Sequence, residues 1–599
     1  MVTDTDDFDP APTPLTFALR VLIGLLQGAA LYALLRVALD KVWPATTPEL
    51  YAALLVTAVF TPLVASSALT RLRPIPLLVW VLVVAATCAA LGWYDLSRDP
   101  FVTPGHAPPR VMPAQAWVGL PLVLFIAQSL LIAAAHDRRA IAKYHTYFEV
   151  SWGLGLQIAL AMLFAGTFWG VLWLGADLFR LIKVEAFARV IRQEWFWIPA
   201  TTVAVSVALH VTDIRAGLVR GLRTVVCNLL GWLLPLAAAI VVAFVAALLF
   251  TGLEPLWGTK RAATILLIAA AMLVVLINTA LQDGARLSAP EPGATMPAAL
   301  RLSIAAASLV LLPVVALAGY AIALRVGQYG WSNVRIVGTA GAVVAACYAI
   351  GYAVAVVRRR ISTGILAATN ITTSLIVIGV ALALLSPLAD PARLSVADQV
   401  ARLKDGRAPS DRFSFDYLRF ETGRYGVDAL RRLAQDDTAP AIRAKAVATL
   451  DRQSRWDPKP EGERVGPLRV VQPPGGELPG DFLTADWTQD RASYLLPLCL
   501  KSSTSSCEAI LVDLDGDGTA EIILDADAGE TTVFRRTDGQ WRYFGTLAGS
   551  SCKGVDEALR AGRFSLVSSL LKDIDIAGTR LRVAPHYDCG SVTARRVSD

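Results

Sequence analysis

Residues 225–250 read VVCNLLGWLLPLAAAIVVAFVAALLF, 26 positions without a charged side chain. A helix needs about 20 mostly apolar residues to cross a hydrocarbon core of about 30 Å, so this stretch is long enough to span a bilayer. Ten further segments of the same character lie at 15–36, 50–70, 74–94, 116–135, 151–178, 195–212, 262–282, 300–323, 334–357 and 363–386. Leu, Val, Ala and Ile dominate them, which suits helices that satisfy their own backbone hydrogen bonds in lipid. The pattern predicts an all-α polytopic membrane bundle of about 11 transmembrane helices over residues 15–386. Pro62, Pro121, Pro235 and Pro313 fall inside four of the segments. Each removes an intrahelical hydrogen bond and is expected to shape its helix within the bundle.

Composition agrees with this outward from the quoted stretch. Of 599 residues, 55% are hydrophobic and 17% charged, with mean hydropathy +0.52. These values exclude both an ordinary water-soluble globule and a disordered chain. The charge is unevenly placed. Residues 1–386 hold 26 Lys and Arg against 17 Asp and Glu, whereas residues 387–599 hold 29 against 32. A basic, apolar bundle is therefore followed by a weakly acidic soluble tail.

Residues 1–14, MVTDTDDFDPAPTP, lack the basic n-region of a cleavable signal peptide and read as a cytoplasmic N-terminal tail. The first apolar helix is expected to remain as an anchor. Loop charges do not orient the bundle, because thirteen Lys and Arg fall on one side and twelve on the other. Cysteines are more informative. Cys88, Cys227 and Cys347 sit singly in apolar segments, but Cys499, Cys507, Cys552 and Cys589 all lie in the tail. Their spacing fits no zinc site, and four cysteines in a soluble domain point to two disulfides in an oxidising compartment. Of the three possible connectivities, Cys499–Cys507 with Cys552–Cys589 is preferred. An extracytoplasmic tail after an odd number of helices places the N-terminus in the cytoplasm.

Residues 180–197, RLIKVEAFARVIRQEWFW, alternate apolar and basic positions at helical spacing and predict an amphipathic helix lying in the membrane interface. The polar groups inside the apolar segments are Gln27, Gln128, Gln157, Asp177, His210, Asn278 and Asn370. Asp177 and His210 fall near helix ends, and the amides are expected to bond helix to helix. The absence of an evident charge at mid-membrane argues against an ion-coupled transporter.

Two parts make up the tail. Residues 387–455 read as a helical juxtamembrane segment, and 456–480, with six prolines, as a linker. Residues 481–599 form a β-rich module, giving a soluble α+β tail. Between two strand-like runs stands Asp513-Leu514-Asp515-Gly516-Asp517-Gly518-Thr519-Ala520-Glu521. Ca²⁺ takes roughly six to eight oxygens at about 2.3–2.6 Å. The carboxylates of Asp513, Asp515, Asp517 and Glu521 and the carbonyl of Thr519 are candidate ligands for one structural ion. An EF-hand would carry Glu where Leu524 stands. The loop instead resembles the strand–loop–strand calcium sites of integrin-type FG-GAP repeats, over about 30 residues and in a single copy. Without an ion, the same residues make an ordinary Asp/Gly turn.

The stretches TGLEPLWGTKRAATILL (251–267), INTALQDG (277–284), LRVGQYGW (324–331) and YLRFETGRYG (417–426) occur together. As a set they resemble bacterial inner-membrane proteins grouped as domain-of-unknown-function family 4153. The resemblance implies a multi-pass protein of the bacterial inner membrane with a periplasmic tail, and no established activity. In that topology Glu254, Trp257, Lys260, Arg325, Tyr329, Trp331 and Arg335 face outward. They are expected as an interfacial aromatic belt, or as a surface for the tail, a lipid headgroup or an envelope partner.

No GxSxG elbow, P-loop or HExxH occurs, and the five histidines are scattered. His136, Asp137 and His145 read as a solvated loop. The leading expectation is a non-catalytic envelope platform carrying a periplasmic binding or sensing module. The alternative is a transporter or channel for a small solute or lipid, and a membrane-embedded enzyme comes third. Its expected surroundings are the lipid bilayer, with no nucleic acid partner.

Overall fold

Among the described residues, eleven helices are long and apolar enough to cross a membrane, one for each predicted segment. In chain order they are α1 (Pro14–Leu39), α2 (Pro48–Ala68), α3 (Pro74–Ser97), α4 (Ala114–Asp137), α5 (Tyr144–Leu181), then α7 (Glu194–Ile214), α8 (Ala216–Thr251), α9 (Ala262–Leu281), α10 (Ala298–Tyr329), α11 (Asn333–Val357) and α12 (Thr363–Leu385). The short α6 (Ala186–Ile191) precedes α7. The chain is a multi-pass membrane protein. This computed structural model describes residues 13–99, 114–254, 256, 261–282, 296–357, 361–411, 413–436, 439–452, 467–485, 487, 496–500, 506–526, 531–547, 555–567, 574–576 and 579–581. Two compact units divide the chain, Met1–Leu450 and Asp451–Asp599.

Large apolar side chains such as Leu229, Leu249 and Phe250 stand exposed on the helices. That is where a lipid-facing side chain belongs, because hydrocarbon exerts no hydrophobic force driving it inward. Close approach of backbones must then hold the helices together. Gly24 and Gly28, four residues apart on α1, meet α7 in this way. A Cβ on Gly28 would stand 2.5 Å from Cα of Pro199, and one on Gly24 would stand 2.6 Å from Oγ of Ser206. A second core joins α8, α9, α10 and α11 through Leu234, Leu273, Ile304, Leu311 and Tyr352.

Residues 180–197 do not form the long interfacial helix expected. Helix α5 runs on to Leu181, Lys183 turns the chain with φ 61°, and only the six residues of α6 follow. Ala188 and Ile191 pack with Ala176 of α5, against Trp169 and Phe187. Protein covers part of the apolar face expected to meet lipid, so the segment folds back on α5.

Beyond α12 come α13 (Pro391–Lys404), α14 (Phe415–Glu421), α15 (Gly423–Ala434) and α16 (Pro440–Leu450). Leu403, Phe415, Leu418, Leu430, Leu433 and Ala446 form their shared core. These helices belong to the first compact unit.

The second unit holds a five-stranded sheet in the order β1-β2-β3-β4-β5. Its strands are β1 (Leu468–Gln472), β2 (Cys507–Val512), β3 (Glu521–Ala526), β4 (Thr531–Thr537) and β5 (Gln540–Thr546). β1 pairs parallel to β2, and the other neighbours pair antiparallel. β1 lies inside the stretch expected to be a linker. Pro467 and Pro473 bracket it rather than interrupt it, so no proline falls within its ladder. Alternation sorts the two faces: Cys507, Ala509, Ile522 and Leu524 pack with Phe482, Trp487, Phe534 and Trp541. Ile510, Ile523 and Val533 pack with Leu559 on the other face. A small hairpin, β6 (Ile574–Ile576) with β7 (Thr579–Leu581), completes the described strands.

The α1–α7 crossing yields a prediction. Gly28→Leu should force the two helices apart and destabilise the protein in detergent by about 1–3 kcal/mol. Gly166→Ala, at a position with no neighbour within 4 Å, should leave the thermal midpoint nearly unchanged. Scanning fluorimetry on the two purified variants distinguishes them.

Candidate functional site

Arg20 stands seven residues into α1 and has no exposed surface. A guanidinium buried in a membrane helix must find a carboxylate and satisfy its remaining donors. Nη2 of Arg20 pairs with Oδ2 of Asp213, near the end of α7. Nε of Arg20 donates to the Ser66 carbonyl at 3.1 Å, and Nη1 donates to the Leu209 carbonyl at 3.2 Å. Asp213 accepts more: the Thr70 hydroxyl donates to Oδ2 at 3.0 Å, and Nε2 of Gln157 donates to Oδ1 at 2.7 Å. Arg71 lies 3.6 Å from the same carboxylate. Helices α1, α2, α5 and α7, with Thr70 and Arg71 just beyond α2, thus meet around one ion pair.

Neither Arg20 nor Asp213 is among the polar groups expected from the sequence, and the expectation of no buried charge is overturned. The signal was present as a lone arginine inside an apolar run, with Gly24 and Gly28 following it. Asp213 falls one residue beyond the predicted end of its segment. His210, one turn before Asp213, is buried beside Phe17 at 4.9 Å between ring centroids. Asp177 is exposed and pairs with Arg180 at 2.8 Å. The amides do bond helix to helix. Gln27 reaches the carbonyls of Ala58 and Val59, and Gln128 reaches Ser67. Asn278, Tyr352, Asn370 and Tyr144 close a ring of hydrogen bonds between 2.6 and 3.2 Å. His136, expected in a solvated loop, is in the last turn of α4 and lines a cleft.

The opposite end of the bundle carries a polar joint. Asp390 is fully buried at the N-cap of α13 and accepts the Ala392 N–H at 2.8 Å. Its other oxygen receives Tyr94 at 2.6 Å and Arg98 at 2.9 Å, both from the end of α3. Burial alone would lower the Arg98 guanidinium, but Asp390 and Asp95 hold it above its ordinary value. Nearby, the turn between α10 and α11 is held through its backbone. Gly330 adopts φ 73°, and a Cβ there would stand 2.6 Å from Asp398 Oδ2. The Trp331 N–H donates to that oxygen at 2.7 Å, while Ser395 and Gln399 donate to the Trp331 carbonyl at 3.0 and 2.8 Å. The Asn333 N–H donates to the Tyr417 hydroxyl at 3.0 Å.

Four of the expected outward-facing residues are gathered at this joint. Arg325 and Arg335 lie over the Tyr329 ring at 5.8 and 5.5 Å, and Trp331 is the residue gripped by α13. Glu254 is exposed elsewhere. Trp257 and Lys260 lie outside the described residues.

In the tail, Cys499 and Cys507 form a disulfide. Cys552 and Cys589 lie outside the described residues. Asp513, Asp515 and Glu521 bring one carboxylate oxygen each within 4.8 Å of one another. Two oxygens bound to one Ca²⁺ at about 2.4 Å can stand no farther apart than this, so the hard donor set fits the ion. Asp513 also accepts the N–H groups of Gly516 and Gly518 at 2.7 and 3.0 Å, shaping the loop. Asp517 turns aside to the Thr519 N–H at 2.7 Å. Arg535 of β4 supplies a positive charge, pairing with Asp515 and standing 3.6 Å from Glu521.

Asp213→Ala leaves the Arg20 guanidinium buried without its carboxylate. The expected loss is about 3–5 kcal/mol of stability. Arg20→Met combined with Asp213→Ala should recover a large part of it, measured by thermal unfolding in detergent.

Residues 50–433 match the family described as Domain of unknown function (DUF4153). No curated protein and no solved structure matches the chain. The matched region begins in the second membrane helix and ends in α15, so it takes in ten of the eleven spans and the joint at 390–421. The chain belongs to the DUF4153 family.

Proposed function

We propose that the protein is a non-catalytic platform of the bacterial inner membrane that carries a periplasmic binding or sensing module. The observation behind this proposal is the joint at Asp390 and Gly330–Asn333. A fully buried carboxylate and a row of backbone hydrogen bonds lock α13 and α14 to the ends of α3 and α10. Such a joint suits a rigid mount better than a moving gate. With the N-terminus in the cytoplasm, this end faces the periplasm, where the Cys499–Cys507 disulfide is stable. Alkaline phosphatase fused after residue 599 should then be active, and fusion near residue 140 inactive. The reverse pattern overturns the orientation.

Binding by the module is tested by affinity purification from membranes of the full chain against residues 1–455. A partner, protein or lipid, retained only by the full chain supports the platform. Identical captures count against it.

The carboxylate loop belongs to the same proposal as a structural Ca²⁺ site. Asp513, Asp515 and Glu521 would hold the ion, and Arg535 competes for the same carboxylates. Calorimetry on the full chain should show a Ca²⁺ response that Asp513→Ala abolishes and Arg535→Gln strengthens. A flat titration of both the native chain and the Arg535→Gln variant removes the site.

Transport of a small solute or lipid is the second proposal, favoured by the buried Arg20–Asp213 pair. Ionisable residues within membrane helices commonly mark ligand or ion pathways.

A further inference from the structure

At the end of the bundle where α1 begins, the chain encloses a partly open cleft with about 760 Å³ of empty space, solvent at its mouth included. The C-terminal ends of α4 and α7 and the N-terminal parts of α5 and α8 wall it, with Arg71 after α2. Its charged side chains are engaged within the protein. Arg223 donates to Glu149 at 2.7 Å, Asp213 pairs with Arg20, and Arg71, His136 and Arg220 have partners as well. The lining group with a hydrogen bond still to make is a neutral one, Gln157.

Gln157 is 1% exposed, and its Nε2 donates to Asp213 at 2.7 Å and to the Leu209 carbonyl at 3.1 Å. An ion-paired carboxylate and a carbonyl only accept, so the opposite amide orientation would set oxygen against oxygen. That fixes Oε1 as a buried acceptor with no hydrogen-bond partner among the described residues. A buried acceptor left unmet is destabilising, and an O–H or N–H donor removes the penalty. A second, independent observation is room. Gly153 lines the cleft one helical turn before Gln157, on the same face of α5. A Cβ at Gly153 would meet no atom within 4 Å. Ile132, Val150 and Val219 add apolar wall around this space.

We propose that the cleft binds a neutral alcohol, whose hydroxyl donates to Oε1 of Gln157 while its carbon skeleton lies along Gly153 against Ile132 and Val150. A hydroxyl suits this acceptor better than an ammonium. Both donate, but an ammonium has to shed the hydration of a full charge to reach an oxygen that carries only a partial one. A free hydroxyl beside short carbon chains occurs both in the glycerol head of a diacylglycerol and in free glycerol, and the cleft offers the same contact to each. The site rests on neither the platform nor the transport reading, since it requires no periplasmic module and no passage through the bundle.

The test uses the full chain in detergent. Native mass spectrometry compares dioleoylglycerol with trioleoylglycerol, which has no hydroxyl. A parallel arm follows the thermal midpoint with glycerol in the native chain and in Gly153→Leu, because glycerol also stabilises proteins generally by exclusion from their surface. Retention of dioleoylglycerol over trioleoylglycerol assigns the lipid source. A midpoint that rises further in the native chain than in the variant, without a lipid preference, assigns the soluble one. Gly153→Leu fills the cleft and should abolish either response, with little change in the midpoint of the unliganded protein. Gln157→Met should weaken binding about tenfold, as expected for loss of one hydrogen bond to a buried acceptor. It also removes the bond to Asp213 and lowers the midpoint, so the decisive variant is Gly153→Leu. Gly166→Leu, at another open position on α5, should bind as the native chain does. Absence of both responses in the native chain, as when the cleft takes up water alone, or equal binding by the native chain and Gly153→Leu, would overturn the proposal.

Discussion

Arg20 is the constraint around which the first half of the bundle is arranged. A permanent charge with no exposed surface cannot be tolerated in an apolar helix unless a carboxylate and several acceptors surround it. Asp213 of α7 supplies the carboxylate, and backbone carbonyls of α2 and α7 take the remaining donors. The pair forms only because α1 and α7 approach closely. Gly24 and Gly28 permit that approach, since a side chain at either would collide with α7. Gln157 and Thr70 then complete the carboxylate's shell and draw in α5 and the end of α2. Helix packing and electrostatics are thus one problem here, solved at one place.

The two ends of the bundle carry different chemistry for a related reason. At the end where α1 begins, Gln157, Thr70 and Arg71 gather around the carboxylate that neutralises Arg20. At the other end, Asp390 satisfies a helix N-terminus, a tyrosine and an arginine at once, and α13 grips backbone rather than side chains at Trp331. Backbone contacts of this kind hold a turn in one conformation. The first arrangement neutralises a buried charge, and the second leaves α13 and α14 firmly mounted.

Legibility followed the range of the interactions involved. Apolar runs long enough for a bilayer are visible in sequence because the bilayer acts on each helix separately, and all eleven correspond to helices. The β-strands of the tail were mostly as local. Leu468–Gln472 was hidden because its flanking prolines resemble a linker, and only pairing with β2 makes it a strand. The 180–197 segment is broken at Lys183, so its apolar positions do not form one helical face: Phe187 and Ile191 pack on α5, while Leu181, Val184 and Val190 stay exposed. Asp513, Asp515 and Glu521 converge as their spacing implied, but the approach of Arg535 from β4 had no local signal.

By itself, then, the sequence determined a multi-pass helical bundle with a more polar, cysteine-bearing tail, because hydropathy, periodicity and turn chemistry act over a few residues. Only the tertiary structure decided which polar groups would meet. Arg20 and Asp213 are 193 residues apart in the chain, and Tyr94 and Asp390 are 296. No local pattern specifies such pairs, since they arise from how whole helices cross. The cleft, the buried ion pair and the joint at Asp390 all depend on that crossing.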